Sequence, residues 1–391
     1  MSKVLPLSSK ASPERSAGLN TVEEILRDLK AGRMVLIMDD EDRENEGDLI
    51  MAAGLATPEA VAFMIRHAGG IICVPMDEDR LLSLDLPQMV ENNSESHRTA
   101  FTVSVDLIAG TTSGVSSQDR AVTIRALADA NAKPTDFARP GHIFPLRSRR
   151  GGVLVRTGHT EAAVDLCRLA GLAPAGVICE VMNDDGTMAR RGELQAFAAR
   201  HSLKMGTIAD LIRYRLRNER SVERVSDQPV HTELGEFRLY AYQDRVSQEM
   251  HLALVKGNLT GREPPLVRVH VADPLRDLLG IQADSRAWTL RAAMKRVACA
   301  GSGVIVILRE RESPDDLMDS VRGLALPGDP EAGAPARAGR RDGEVLKTFG
   351  IGAQILKDLG VKRMRVLSAP KQIHGIAAFG LEIDSYVGED A

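Results

Sequence analysis

Cysteine is scarce and scattered: Cys73, Cys167, Cys179 and Cys299 are the four in 391 residues, with no CxxC or CxC pair among them. That pattern suggests neither a disulfide framework nor a thiolate zinc site, and no zinc is expected. Aromatic residues make up 3% and the net charge is −4, which argues against a large basic surface with stacking platforms and against a nucleic-acid partner. No apolar run approaches the roughly 18 residues needed to cross a bilayer, and the opening MSKVLPLSSKASPERSAGLN lacks the apolar core of a signal peptide. A cytoplasmic chain with no membrane partner is therefore expected. What is present is ordinary for a folded protein, 43% hydrophobic and 27% charged, and 391 residues predict two or three domains at about 150 each. Small-molecule chemistry is the better expectation.

Residues 1–19 show no apolar periodicity and read as a disordered tail. In NTVEEILRDLKAG, Thr21 and Glu24 form a capping box, Val22, Ile25, Leu26 and Leu29 share a face, and Gly32 stops the helix. MVLIM reads as a buried strand ending in a charged loop; GGIICVPM, GGVLVRTG and VICEVM read as further strands, and EAAVDLCRLA as a helix closed by Gly171. Two helical segments, RGELQAFAARH and IADLIRYRLRNE, lead to a change of style near Val225. Beyond it FRLYAY, HLALVKG, LVRVHV and GVIVIL read as strands, with a helix from Trp288 to Cys299. Residues 324–343 are rich in Gly, Ala, Pro and Arg and read as a mobile surface loop. The expected fold is α/β in two domains, the first a mixed sheet flanked by helices.

DDEDRENEGD places Asp39, Asp40, Glu41, Asp42, Glu44, Glu46 and Asp48 within ten residues, relieved only by Arg43. Packed carboxylates repel one another, and a hard divalent ion is their natural partner. An acidic surface loop has the same composition; the strand before the run and Gly47 within it suggest a tight, specific turn instead. In RTGHTEA, Arg156, the Thr160 hydroxyl acting as cap and the amides of a first helical turn make an anion site suited to phosphate, with His159 beside them. Glu180 lies in an apolar strand, where burial raises a carboxyl pKa and suits it to acid or base work. In RPGHIFPL, Pro140 and Gly141 fix a turn that presents His142, and TTSGVSSQDR reads as a polar loop able to close over a substrate. The alternative for Glu180 is a carboxylate at a strand edge facing water, and for His142 a solvated or packed side chain. The residues taken alone outline metal-assisted enolisation of a sugar phosphate.

DDEDRENEGD, SGVSSQDR, RPGHIFPLR, RTGHTEAAVDL and ICEVMNDDGTMARR follow in this order within residues 20–222, and that part of the chain resembles 3,4-dihydroxy-2-butanone-4-phosphate synthase. The resemblance implies conversion of D-ribulose 5-phosphate to 3,4-dihydroxy-2-butanone 4-phosphate and formate in riboflavin biosynthesis, with Mg²⁺ or Mn²⁺. It also implies a homodimer with the site near the subunit interface. Carried over by motif, Glu44 and His159 are metal ligands. Arg43, Asp48, Glu180 and the stretch Arg156, Thr157, Gly158, His159, Thr160 meet the substrate, and His142 and Glu180 transfer protons.

Residues 225–391 resemble GTP cyclohydrolase II through HLALVKG, LVRVH, FGIGAQILKDLGVKRMRVLS and GIAAFGLEI. Where that family carries three zinc cysteines, this chain has Asp273, Asp284 and Arg286, which cannot hold zinc as three thiolates do. Ser313 stands at or near the position of the family's catalytic arginine, and Val345 and Lys347 replace an acid and an arginine. The expectation is a monofunctional synthase with a degenerate second domain. The rival expectations are a bifunctional enzyme and a second domain that regulates or assembles without catalysis.

Overall fold

The computed structural model describes residues 18–281, 288–309, 317–318, 320–321, 342–368 and 376–388. Two compact units divide the chain, their main bodies parting between Tyr214 and Arg215. The tail expected at 1–19 lies outside the described residues up to residue 17, while Leu19 packs against the core of the first unit.

The first unit is a seven-stranded mixed sheet with helices around it. Its strands are β1 (Val35–Met38), β2 (Gly47–Ala52), β3 (Cys73–Met76), β4 (Val105–Leu107), β5 (Phe137–Arg147), β6 (Gly176–Glu180) and β7 (Lys204–Thr207), in the order β4-β5-β3-β6-β2-β1-β7. Every residue of β1, β2 and β3 is buried, as expected of central strands covered on both faces. The helices are α1 (Val22–Lys30), α2 (Pro58–Phe63), α3 (Glu78–Ser83), α4 (Ser117–Ala128), α5 (His159–Leu169), α6 (Arg191–His201) and α7 (Ile208–Asn218). The Thr21–Glu24 capping box forms at the start of α1, whose Val22, Ile25 and Leu29 enter the core. Leu36 and Leu49, both fully buried, belong to the apolar cluster under the sheet, and each contributes about 1.5–3 kcal/mol by leaving water.

Sheet register sets the chemistry. β1 and β2 are antiparallel, with Met38 opposite Gly47, so the acidic run is the loop that joins two central strands. β2 and β6 are also antiparallel, and Asp48 stands opposite Glu180.

Four local readings of the sequence need correction. GGVLVRTG is no strand: Gly151 and Gly152 take positive φ (94° and 62°), a short 3-10 turn covers Gly152–Leu154, and the Asp165 carboxylate accepts the Val153 N–H at 2.8 Å. The V-L-V alternation mimics a strand that the glycines forbid. RPGH is no simple turn either, because it lies inside β5, where the Arg139–Pro140 peptide is cis. Pairing with β4 jumps there from Val105–Ile143 to Asp106–Ala138, leaving residues 139–142 outside the ladder. The polar loop TTSGVSSQDR ends early, since the Ser116 hydroxyl caps α4 and the rest is helix. Finally, α5 begins at His159 with Gly158 at its N-cap, so Thr160 is a buried first-turn residue and not the cap.

The second unit holds another seven-stranded sheet, of β8 (Val222–Thr232), β9 (Gly235–Asp244), β10 (Met250–Lys256), β11 (Leu266–Val271), β12 (Gly303–Leu308), β13 (Arg363–Leu367) and β14 (Glu382–Val387). The order β14-β13-β11-β12-β10-β9-β8 joins a parallel half, β14 to β12, to an antiparallel meander. Its described helices are α8 (Pro274–Leu279), α9 (Leu290–Ala300) and α10 (Asp342–Asp358). Gln354 of α10 accepts the Ser221 and Val222 N–H groups at 2.9 and 3.4 Å and donates to Leu216 O and Glu219 O at 2.8 and 3.0 Å. One buried amide thus satisfies both the end of α7 and the start of β8. Arg220, Arg224 and the Tyr242 hydroxyl converge on Asp358 beside it.

A Cβ on Gly141 would lie 2.0–2.4 Å from backbone atoms of Val105 and Asp106, which cannot yield as a side-chain end can. Gly141→Ala should therefore lower stability by about 1–3 kcal/mol or more, read as a shift of the urea midpoint of the first unit's unfolding transition.

Candidate active site

Asp39 leaves the end of β1 buried, and its carboxylate organises the loop that follows. Its two oxygens accept the Glu46 N–H at 2.8 Å, the Glu44 N–H at 3.2 Å and Arg43 Nη1 at 2.8 Å. The same Arg43 nitrogen reaches Glu44 Oε2 at 2.8 Å, and its side chain is only 5% exposed. Arg190 of the residues before α6 donates to Glu44 O at 2.7 Å, fixing the outer edge of the loop. This is a folded turn with a guanidinium at its centre, unlike a solvated acidic surface.

His159, the first residue of α5, is buried against that loop. Its Nε2 donates to Ile37 O at 3.1 Å, which fixes the ring and leaves Nδ1 as the lone-pair nitrogen, 3.6 Å from Asp48 Oδ1. One ligand atom each from Asp39, Glu44 and His159 lie within 4.8 Å of one another. Asp48 Oδ1 is buried without a hydrogen-bond partner among the described residues, and burial pushes its pKa well up, with Glu180, Glu44, Glu46 and Asp39 adding repulsion. Burial likewise raises Glu46 and Glu180 and lowers His159. Oxygen-rich donors, one neutral imidazole and an orphaned carboxylate oxygen fit a hard divalent cation.

Glu180 accepts the Ile71 N–H at 2.9 Å, and Gly70 packs so tightly against it that a Cβ there would lie 2.3 Å from Oε2. The neighbouring Cys73 and Cys179 thiols are pushed well above the usual range by burial and by Glu180 and Asp48, so they stay protonated.

Arg156 does not point into open space. Its Nη1 lies 2.7 Å from Glu161 Oε2 and its Nη2 3.0 Å from Thr99 Oγ1; a Cβ on Gly158 would sit 2.4 Å from Nη1, so only glycine admits this fold-back. Arg156 also reaches His97 O at 3.4 Å, and His97 Nδ1 lies 3.7 Å from Glu44 Oε1. Thr157 is half-buried, whereas Gly158 and Thr160 are buried at the start of α5. The loop carrying His97 is drawn together by Glu95, which accepts the His97 and Thr99 N–H groups at 2.8 and 2.7 Å; these bonds hold its pKa at about 2. His142 belongs to a different polar group, with Asp106 Oδ2 at 2.7 Å from its Nδ1.

The structure thus brings Arg43, Glu44, Asp48, His159 and Glu180 together from the β1–β2 loop, β2, α5 and β6, with Arg156 joined through His97. Sequence reading named Asp39 only as one acid in a run, and it missed Glu95, His97, Asp106 and Glu161. ENNSESHRT has turn composition, which signals a loop but not which acid it wraps. In the second unit Asp273 caps α8, accepting the Arg276 N–H at 3.3 Å. Val345 and Lys347 fall on α10, and Asp284, Arg286, Ser313 and the loop at 324–341 lie outside the described residues.

Residues 23–214 match the family model for 3,4-dihydroxy-2-butanone 4-phosphate synthase, and residues 223–388 match that for GTP cyclohydrolase II. The chain is 53% identical over 369 residues to the 3,4-dihydroxy-2-butanone 4-phosphate synthase of Pseudomonas aeruginosa, covering 94% of this chain and 99% of the relative. It is 46% identical over 378 residues to a bifunctional riboflavin biosynthesis protein of Arabidopsis thaliana, covering 94% of this chain and 68% of the relative. Among solved structures, a two-domain 3,4-dihydroxy-2-butanone 4-phosphate synthase from A. baumannii, RibBX, is 42% identical with a TM-score of 0.79, covering 94% of this chain and 99% of that one. A 3,4-dihydroxy-2-butanone 4-phosphate synthase with two magnesium ions is 46% identical with a TM-score of 0.50, covering 51% of this chain and 99% of that one.

Burial keeps a proton on Glu180 at pH values where the unfolded chain has lost it, so the cation-free fold loses stability as pH rises from the ordinary carboxylate value through the raised one. Glu180→Gln carries no such charge. Its unfolding midpoint should fall less than that of the unaltered chain between pH 4 and pH 7 in chelator, measured by denaturant titration; equal slopes would count against a buried, uncompensated Glu180.

Proposed function

The chain belongs to the 3,4-dihydroxy-2-butanone 4-phosphate synthase family and is a synthase of riboflavin biosynthesis, and from that premise we propose how its residues perform the reaction. The substrate is D-ribulose 5-phosphate and the products are 3,4-dihydroxy-2-butanone 4-phosphate and formate. Carbon, hydrogen and oxygen balance between them without an oxidant, so enolisation, rearrangement and proton transfer suffice. The observation that carries this reading is the convergence of Asp39, Glu44 and His159 beside an orphaned buried carboxylate.

Glu44 and His159 would hold the cation, Mg²⁺ or Mn²⁺, with Asp39 within reach; bound there, it would supply Lewis-acid polarisation of the sugar's vicinal oxygens. Arg43 Nη1 bonds to both the Glu44 and Asp39 carboxylates and holds them turned inward. Ile37 O fixes the His159 ring so that Nδ1, and not Nε2, is presented. The Arg156–Thr160 segment and the first-turn amides of α5 take the phosphate end, where the helix dipole favours an anion. Asp48 and Glu180, facing each other across β2 and β6, bind the hydroxyl-bearing carbons. Glu180, whose pKa burial raises, gives and regains a proton, and His142 serves as the second proton-transfer group. The working form is a homodimer in the cytoplasm. No helix among the described residues is long and apolar enough to cross a membrane.

Residues 20–222 form the synthase domain in this reading, and residues 225–391 form a cyclohydrolase-like domain without GTP hydrolysis. Asp273 supports the loss: at a position where the resemblance calls for a thiolate, its carboxylate is the N-cap of α8. The bifunctional relatives favour the rival reading. Incubation with GTP and Mg²⁺, with and without added zinc, should release no pyrophosphate; release would establish the bifunctional enzyme.

Glu44→Ala and His159→Ala should each lower turnover of ribulose 5-phosphate by about 10²-fold or more, since each removes a metal ligand, while the protein stays folded. Mg²⁺ or Mn²⁺ should raise the melting temperature of the unaltered chain and not that of either variant. Near-normal turnover in either, followed by NMR of the products, would refute the ligand assignment.

A further inference from the structure

His142 stands in the part of β5 that leaves the ladder, and one carboxylate holds it at two points. Asp106 Oδ1 accepts the His142 backbone N–H at 2.9 Å, and Asp106 Oδ2 lies 2.7 Å from Nδ1. Asp106 is the β4 residue where the register jumps, so the irregular pairing itself sets carboxylate against ring. The Asp106 side chain is 14% exposed and that of His142 is 48% exposed, which buries the orienting group and leaves the imidazole open at its far edge.

A third element is built around the pair. A Cβ on Gly114 would lie 2.1 Å from Asp106 Oδ2 and 2.7 Å from His142 Nδ1, so only glycine lets the 111–114 loop approach this closely. Gly114 has φ +83°, and the loop is tethered through Asp119, which accepts from Thr112 Oγ1 at 2.8 Å and from the Gly114 N–H at 3.0 Å. Nothing in the ladder requires these contacts. Together they fix the orientation of one imidazole.

We propose that Asp106 is a positioning residue for the synthase reaction, holding His142 with its proton on Nδ1 and a lone pair on Nε2, the edge that meets substrate. This rests on the reading of His142 as a proton-transfer group. A carboxylate accepts only, so both of its partners must donate, and neutral His142 takes the Nδ1–H tautomer. The proton acceptor is then Nε2. Asparagine would reverse this. Its Oδ1 retains the backbone N–H of His142, while its Nδ2 donates to Nδ1 and drives the proton to Nε2, leaving no lone pair facing outward. The same substitution in a serine-protease triad inverts a histidine tautomer with little change of geometry.

The test uses the full chain labelled with ¹⁵N-histidine, with the His142 resonances assigned by their absence in His142→Gln. In the unaltered protein the neutral ring should show a protonated Nδ1 and an unprotonated Nε2; in Asp106→Asn the two signatures should exchange. Asp106→Asn should lower kcat by about 10²–10⁴-fold, the range of a lost proton-transfer group, with KM little changed. Asp106→Glu, which still only accepts, should keep the original tautomer and recover much of kcat. An Asp106→Asn variant with unchanged nitrogen signatures or unchanged kcat overturns the assignment of Asp106, provided His142→Gln is inactive. A fully active His142→Gln overturns the role of His142 instead, and with it any catalytic meaning of Asp106.

Discussion

Mutual repulsion among carboxylates, confined where water cannot screen it, is the constraint around which the first unit is arranged. Asp48, Glu46 and Glu180 all have raised pKa values, chiefly through burial, with neighbouring acids adding to it. A protein core tolerates such a group only if opposite charge or hydrogen bonds compensate it. Arg43 supplies one positive charge and the Asp39 carboxylate is satisfied by two backbone amides, yet Asp48 Oδ1 remains unanswered. The remaining deficit matches a doubly charged ion in sign and place, where the start of β2, the end of β6 and the loop before β2 bring these acids together.

Much of this was legible before any coordinate was known, and what escaped did so for identifiable reasons. Glu44, His159, Asp48 and Glu180 sit in motifs whose residue types are unusual enough to stand out. The strand at GGVLVRTG was misread because valine and leucine alternate there, while the left-handed glycines and the claim of Asp165 on the Val153 amide are non-local. β2 went unnamed because its Gly-Asp start reads as the tail of an acid run, and its burial follows only from having β1 and β6 on either side. β8 went unnamed because most of its residues face water and its apolar positions do not alternate. Asp39 illustrates the general difficulty, since a carboxylate turned inward onto amides has the same letter as one facing solvent.

The second unit shows that a fold and the groups a site needs are held by different residues. Its parallel strands β14 to β12 and the buried clusters on both faces of the sheet keep the architecture shared with GTP cyclohydrolase II. Packing depends on size and apolarity, which many residues can supply, whereas a thiolate site depends on particular atoms at particular distances. Of the three positions where the resemblance calls for a cysteine, the one in the described part holds Asp273, which caps a helix, a role that any short polar acceptor fills.

The Gln354 amide has a consequence of its own for how the second unit answers salt. It joins α7, β8 and α10 with two donors and one acceptor oxygen, none of which ionises. Next to it, Asp358 accepts from Arg220, Arg224 and the Tyr242 hydroxyl, two of the three being charged donors. The two joints therefore part ways at high ionic strength: dissolved ions screen the charged clasp, where the Arg220 side chain is 70% exposed, while the neutral amide keeps its grip.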